Sequence, residues 1–553
     1  MDEFSTSNVL KLVLLVCSLH CVQSAHILGV PSIGISHGFV LMKIGRELVE
    51  RGHRYTLVVP SALEADLKPK NAIHGLQVMS FESNFTKEAL EKLMLKQSQG
   101  ELDMNENMAL WIGECEDTLR SKIYSQNLQD VGFMLCDIGS LCCTLLADLL
   151  GIQRIDISPT GFGDPFLSII HNFPASLAHI PQMPYWLPRK LSFIGRVQNF
   201  ILYGFGYLMY NFYLTGPYTQ LWKKYVPNSK FKNLEELFRS TGLLLIPTDF
   251  ALSRPRSIAS HMKVIGPVLP EPPKPLPQQF QKIISSAQYS DVIVVSFGTV
   301  ISNFGDVFVD TLASALSKIP AQVIWKHKGK KPKNISENVK IFPWFPQNDF
   351  LGHPATKVFI THGGLNSIYE SSFHGVPMVV IPWFGDQFDN ALAAENAGTG
   401  EMLHVKGITE QKIIDKVNKV LSDASYMTRA KQVASQIIYQ VFCSLYLDFV
   451  DKTYCYCITH RESTSSFRSC PMKYFAPFKR GGAFRYLGES MRERREEKRA
   501  PLVESVGNLT SMLGPKSLSV AKTSFPAHKH CNGCTPEIGM NNTPREQCSS
   551  WYD

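Results

Sequence analysis

One stretch, residues 358–390 (VFITHGGLNSIYESSFHGVPMVVIPWFGDQFDN), limits what this chain can fold into more than any other. An apolar run at 358–360 ends in Thr361, and His362-Gly363-Gly364 follows. Those glycines tolerate positive φ and let backbone approach a ligand. Residues 365–374 have helical spacing, with Leu365, Ile368, Tyr369 and Phe373 on one side, and Gly375 and Pro377 stop the helix. A second buried-strand candidate at 378–381 leads to Trp383 and the loop Gly385-Asp386-Gln387. The order is strand, glycine turn, helix, strand, polar loop. Free N–H groups and the helix dipole converge on such a turn and make it an anion site. A structural βαβ turn would account for the glycines but not for the polar residues around them. Asn366 and Ser367 fall in the first helical turn, Glu370 lies one turn on, within reach of a pair of sugar hydroxyls, and Asp386 and Gln387 follow the next strand at the same edge.

On these residues the chain resembles the UDP-glycosyltransferases, the family that includes the animal UDP-glucuronosyltransferases. The motif match runs unbroken over 359–387 and continues more weakly from about Ala25 to about Tyr439. The resemblance implies an α/β fold of GT-B architecture, in which two Rossmann-like domains with parallel sheets face a cleft. The acceptor would sit mainly in the first domain and the UDP-sugar in the second. It also implies that His362 and Gly364 meet the phosphates, that Glu370 binds the ribose and that Asp386 with Gln387 binds the sugar, with Asn366 and Ser367 lining the same donor site. In Pro343-Trp344-Phe345-Pro346-Gln347 the family places a tryptophan that stacks on uracil and a glutamine that contacts the nucleoside, here Trp344 and Gln347. Read alone, a lone tryptophan near a strand end is more simply core. Gly298 and Thr299, in the turn after the strand candidate 292–295, can offer backbone and hydroxyl donors to a phosphate.

The amino-terminal half opens with a strand at 26–30, a loop PSIGISHG, a helix at 39–50 and a strand at 55–59. Ligands of parallel sheets sit beyond the carboxyl ends of the strands, which is where His37 falls. A capping or packing histidine would fit equally well, but Ser36-His37 matches the family position of the catalytic base. The strand at 131–136 ends in Asp137, readable either as an N-cap for the helix from 141 or, by the resemblance, as the partner that orients and charges His37. Adjacent Cys142 and Cys143 do not readily bridge each other and read as packed helix residues. Residues 81–132 read as largely helical, in the part of the chain where relatives hold their acceptors.

A chain of 553 residues needs more than one core. The reading is a signal peptide at 1–24, an acceptor domain at 25–265, a proline-rich linker at 266–280, a UDP-sugar domain at 281–440 and an atypical tail at 441–553. The signal rests on Lys11, the apolar run after it and small residues before a cut near Ser24. Entry into the endoplasmic reticulum follows, with Asn84, Asn334, Asn508 and Asn541 as candidate glycosylation sites. Residues 197–214 carry no charge and read as a helical flap, packed in the core or lying on a membrane surface, core packing being the plainer reading. The net charge is +8, but the tail alone holds 16 Lys/Arg against 11 Asp/Glu, so the body is near neutral and gives no footing for nucleic acid. That tail has none of the crossing segment, membrane helix and basic end that relatives carry. Its composition reads as disorder, and the cluster His528 to Cys534 has metal-like spacing with no core around it.

The expected activity is therefore transfer of a hexosyl group, glucuronosyl or glucosyl, from a UDP-sugar to a hydroxyl of a small lipophilic acceptor. The resemblance implies that it inverts the anomeric centre and needs no metal or other cofactor, and no metal-binding Asp-x-Asp occurs in the chain. Pairing with itself or with relatives is a further expectation. The alternative is a silent lumenal form that binds UDP-sugar or pairs with full-length relatives without turnover. A binding module or carrier is disfavoured by the presence of both His37 and Asp137.

Overall fold

The computed structural model describes residues 24–444, apart from residues 70, 102, 125–127, 164–165, 183–189, 287, 302–303 and 334. The signal-peptide reading, the sequons at Asn334, Asn508 and Asn541, the cluster 528–534 and the reading of the tail lie outside the described residues.

Two parallel sheets organise the chain. The first contains β1 (His26–Val30), β2 (Arg54–Pro60), β3 (Leu76–Phe81), β4 (Phe133–Asp137), β5 (Gln153–Ile157), β6 (Leu244–Ile246) and β7 (Met262–Val264), in the order β3-β2-β1-β4-β5-β6-β7. The second contains β8 (Val292–Ser296), β9 (Gln322–Lys326), β10 (Val339–Phe342), β11 (Thr356–Thr361), β12 (Met378–Val380) and β13 (Gly400–Met402), in the order β10-β9-β8-β11-β12-β13. Among the described residues, the neighbouring strands of both sheets pair in parallel. The central strands β1 and β8 are buried at all five positions, as strands covered by helices on both faces must be. Side chains from the two faces of each sheet form separate cores, for example around Leu57 and Leu145 in the first and around Leu312 and Phe359 in the second.

Strand order reverses between β1 and β4 in the first sheet and between β8 and β11 in the second. At such a switch point the flanking loops leave in opposite directions and open a crevice. His37 follows β1 and Asp137 ends β4, while Gly298 follows β8 and His362 follows β11. Each half thus delivers its candidate residues to its own switch point.

Three expectations change. The helix after β1 runs from Ile35 to Glu50, four residues earlier than the apolar spacing suggests, so His37 lies in its first turn rather than in a loop. Cys142 and Cys143 are not merely packed. Cys142 is bridged to Cys115 and Cys143 to Cys136, because neighbouring residues at a helix start point to different partners. The charge-free flap is not core. It is a helix, Phe193–Met209, with a π-helical extension, Tyr210–Leu214, and most of its large apolar side chains are exposed.

Candidate active site

The first half of the site is built around a buried carboxylate. Asp137 is fully buried, and its two oxygens accept from the Ser32 backbone N–H at 2.8 Å, the Gly139 backbone N–H at 2.7 Å and His37 Nδ1 at 2.7 Å. Three donors on one carboxylate hold it ionised. Burial pushes its pKa up, but His37 and the two N–H groups outweigh that and lower it. Asp137 therefore does not cap the helix Cys142–Leu150, whose N-cap is Leu141. Gly139 keeps this corner open, since a Cβ would crowd the pair, standing 3.0 Å from Asp137 Oδ1 and 3.2 Å from His37 Cε1. Ser32 Oγ lies 3.0 Å from His37 Nδ1 and completes the cradle. With Nδ1–H donated to Asp137, Nε2 is left as the basic atom. Burial lowers the His37 pKa, yet the charge and hydrogen bond of Asp137, helped by Asp386, raise it above its ordinary 6.5.

That last contribution crosses the cleft. Asp386 belongs to the second half, and its own pKa, raised to about 6 by burial, is drawn down by Asn390 and by His37. The base and the expected sugar ligand are within electrostatic reach of each other. Further contacts tie the halves together beside them. Tyr369 Oη accepts from the Asp249 N–H at 2.6 Å and bonds Thr248 Oγ1 at 2.6 Å. One cavity is lined by Gly161, Thr248 and Arg256 from the first half and by Leu365, Tyr369 and Asp386 from the second.

The donor side gathers at the turn after β11. Gly363 has φ 88° and Gly298 has φ 81°, a region open to glycine and costly for other residues. A Cβ at either Gly298 or Gly364 would lie 2.6 Å from His362 Nε2. The two glycines thus leave the imidazole just enough room between the loops after β8 and β11. Burial and the Lys326 cation depress His362 to about 4, so near neutral pH the imidazole is uncharged and can act as a hydrogen-bond donor. The helix Leu365–His374 begins at this turn with no side-chain cap, leaving its first N–H groups for a ligand.

Glu370, on the same helix, accepts from Gln347 Nε2, which also lies 3.5 Å from Ser367 Oγ. Ser367 is buried, while Asn366 is partly exposed at the helix start and Thr299 is exposed in the loop after β8. Burial raises the Glu370 pKa to about 7, against the pull of Gln347 and Lys326. Trp344 is 63% exposed, so the core reading fails for it; the buried tryptophan of this region is Trp325. Gln387 is held at one end of its amide. Its Oε1 accepts from the Trp383 and Phe384 backbone N–H groups at 2.8 and 3.2 Å, so that oxygen fixes the loop carrying Asp386 and is not available to a sugar.

Two residues escaped the sequence reading. Asn390 Nδ2 donates to the Gly363 carbonyl at 2.9 Å and to Asp386 Oδ2 at 2.8 Å, joining the glycine turn to the loop that carries Asp386. It closes the motif stretch four residues after Asp386, one helical turn away, which was the available signal. Lys326, at the end of β9, has its pKa lowered by burial and by Lys328, and it acts on both His362 and Glu370. A lysine ending a strand at the ligand edge of a parallel sheet was its signal.

The family model for UDP-glucoronosyl and UDP-glucosyl transferases matches residues 25–437. The chain belongs to the UDP-glycosyltransferase family. Among its relatives, the mouse 2-hydroxyacylsphingosine 1-beta-galactosyltransferase is 31% identical over 421 residues, 74% of this chain and 76% of that protein. The rabbit UDP-glucuronosyltransferase 2C1 is 27% identical over 422 residues, covering 73% and 83%. Among solved structures, the kitacinnamycin glycotransferase aligns with a TM-score of 0.55 at 19% identity, over 76% of this chain and 96% of its own. The calicheamicin glycosyltransferase CalG4 aligns at 0.54 and 17%, over 80% and 100%. At those identities the structural likeness speaks for the fold, the GT-B arrangement of two Rossmann-like halves. As a member of the family, the chain is a UDP-hexosyltransferase that moves sugar from a UDP-sugar donor to an acceptor.

Proposed function

We propose that His37 removes the proton of an acceptor hydroxyl as the oxygen attacks the anomeric carbon of the donor, inverting it, while UDP leaves. The observation that carries this reading is His37 Nδ1 at 2.7 Å from a fully buried Asp137, with Asp386 of the other half drawing on the same imidazole. A hydroxyl is a weak nucleophile at neutral pH, and a histidine held in one tautomer by a carboxylate is suited to take its proton in the transition state. Charge growing on the β-phosphate would meet the helix start at Leu365, the Gly364 N–H and neutral His362. Lys326 supplies the fixed positive charge that a metal would otherwise bring, consistent with metal-independent transfer. Trp344 would stack on uracil, with Gln347 and Glu370 on the nucleoside and Asp386 on the sugar. Gln387 supports Asp386 through the loop.

Glucuronate is our reading of the sugar, because Arg254 and Arg256 line the cavity that contains Asp386 and would suit a carboxylate. The acceptor is a small lipophilic alcohol or phenol. Disulfides at Cys115–Cys142 and Cys136–Cys143 suit an oxidising compartment, and the lumen of the endoplasmic reticulum, with glycosylation at Asn84, is the proposed location. Contact with a membrane surface and pairing with related chains belong to the same proposal. The assembly of base, partner and donor turn within residues 24–444 favours turnover over a silent UDP-sugar binder. The test is turnover of a panel of UDP-sugars with one phenolic acceptor. His37→Ala should abolish transfer while UDP still binds, and normal turnover by that variant would remove His37 from the mechanism.

A further inference from the structure

The helix Phe193–Met209 is amphipathic with the wrong side out. A surface helix normally buries its apolar stripe and shows water its polar one. Here the inward stripe is Gly195, Asn199 and Gly206, while Phe193, Phe200, Ile201, Phe205 and, on the π-helical turn, Phe212 are 61–82% exposed. Asn199 fixes that orientation. It is fully buried, donates to the Leu177 and Ile180 carbonyls at 2.7 Å each and accepts from the Gln182 N–H at 2.6 Å. Turning the helix over would break three hydrogen bonds and bury an amide without partners. The sequence thus specifies an outward apolar face too large to be left to water.

Charge says what covers it. From Pro165 to Leu234 there is no acidic residue, yet there are seven Lys/Arg, among them exposed Lys190 and Arg196 at the start of this helix. An apolar face that opens beside Lys190 and Arg196, with an acid, Glu235, acting only at its far end on Tyr210, is complementary to a bilayer with anionic headgroups. A second copy would set cations against cations. No helix among the described residues is long and apolar enough to cross a membrane, which leaves the interfacial mode. The face also connects to the cleft. The segment that Asn199 holds includes His179, whose carbonyl accepts from Arg254 Nη1 at 3.4 Å, and Arg254 lines the cavity shared with Asp386.

We propose that this helix and its π-helical extension dock on an anionic lipid surface, with the apolar face at the acyl boundary, so that the cleft receives acceptors dissolved in that bilayer. The docking stands on the exposed face; only the acceptor route rests on the transferase reading above. The experiment compares the full mature chain with a Phe200→Ser/Ile201→Ser/Phe205→Ser variant and a Lys190→Glu/Arg196→Glu variant. Flotation uses phosphatidylcholine vesicles with and without phosphatidylserine. The wild type should float with the anionic vesicles, the serine variant should lose at least about tenfold in partitioning to them, and the charge variant should lose only the preference for anionic lipid. No flotation of the wild type, flotation unchanged by the serine substitutions, or concentration-dependent dimerisation abolished by them would overturn the proposal, the last by showing that a second copy covers the face. Turnover of a water-soluble phenol should be equal in wild type and serine variant, whereas turnover of a vesicle-dissolved sterol should fall in the variant alone. If the phenol is not turned over by any form, the transferase reading fails while the flotation result still decides the docking.

Discussion

His37 Nδ1 and Asp137 Oδ2 are 2.7 Å apart although a hundred residues separate them in sequence, because β1 and β4 are neighbours at the switch point of the first sheet. The pair predicts a pH profile. Burial lowers the His37 pKa, but Asp137 outweighs it, so the imidazole titrates above its ordinary 6.5. A base must be neutral, so kcat/KM should rise with pH through a point above that value. Asp137→Asn removes the carboxylate and leaves burial opposed only by Asp386, which should move the acid limb to lower pH and lower kcat by roughly 10²-fold or more. A profile unchanged in position by Asp137→Asn would mean that another group titrates.

The space around His362 predicts a clean loss of donor binding. Gly364 has φ −58°, a conformation any residue adopts, so Gly364→Ala adds no backbone strain. Its Cβ would lie 2.6 Å from His362 Nε2 and must displace the ring. Losing one hydrogen bond to a charged phosphate costs about 1.5–3 kcal/mol, or roughly 10–100-fold in UDP affinity. Calorimetry should show that loss with little change in Tm. Gly298→Ala brings the same clash plus the strain of φ 81° and should reduce stability as well.

The stretch 358–381 was legible because its apolar runs and glycines set strand, turn and helix locally, and the helix Leu365–His374 falls where its spacing puts it, whereas the helix Gln387–Asn396 was read only as a polar loop. His37 and Asp137 could each be placed at a strand end, but their contact depends on sheet order, which periodicity does not encode. The start of the first helix at Ile35 was hidden because Gly34, Ser36 and Gly38 read as loop. The helix Phe193–Met209 was misjudged because hydrophobicity alone does not say whether protein or something else covers a face. The direction of the Gln387 oxygen and the reach of Lys326 are side-chain facts settled by packing.

The two disulfides predict sensitivity to reductant. Their sequence separations of 27 and 7 residues correspond, on a chain-entropy basis, to about 3–4 and about 2 kcal/mol of stabilisation. Both clamp the start of the helix Cys142–Leu150, and Cys136 is the chain neighbour of Asp137. Dithiothreitol should therefore lower Tm and kcat together, and non-reducing peptide maps should recover the pairs 115–142 and 136–143. Free thiols at these four positions would remove the staple.

Arg256 predicts donor selectivity. Its guanidinium stacks 3.9 Å from the Phe162 ring centroid, which orients it within the cavity containing Asp386. If it faces the donor carboxylate, Arg256→Ala should cost about 10–100-fold more in kcat/KM with UDP-glucuronate than with UDP-glucose. Equal losses with both donors would assign the arginine to packing rather than to the sugar.

Glu370 predicts pH-dependent UDP binding. Burial raises its pKa to about 7, although Gln347 and Lys326 pull the other way. A ribose diol donates to a carboxylate better than to a carboxylic acid, so UDP affinity should strengthen as pH rises through 7 and level off above it. The sign for stability is opposite. The folded state holds a proton between the ordinary 4.5 and about 7 that the unfolded chain has released, so stability without nucleotide falls as pH rises through that window. Glu370→Gln should flatten both trends, weakening UDP above pH 7 while raising Tm there in the nucleotide-free protein. Opposite changes in affinity and Tm from one substitution separate a carboxylate kept for its ligand from one that holds the fold.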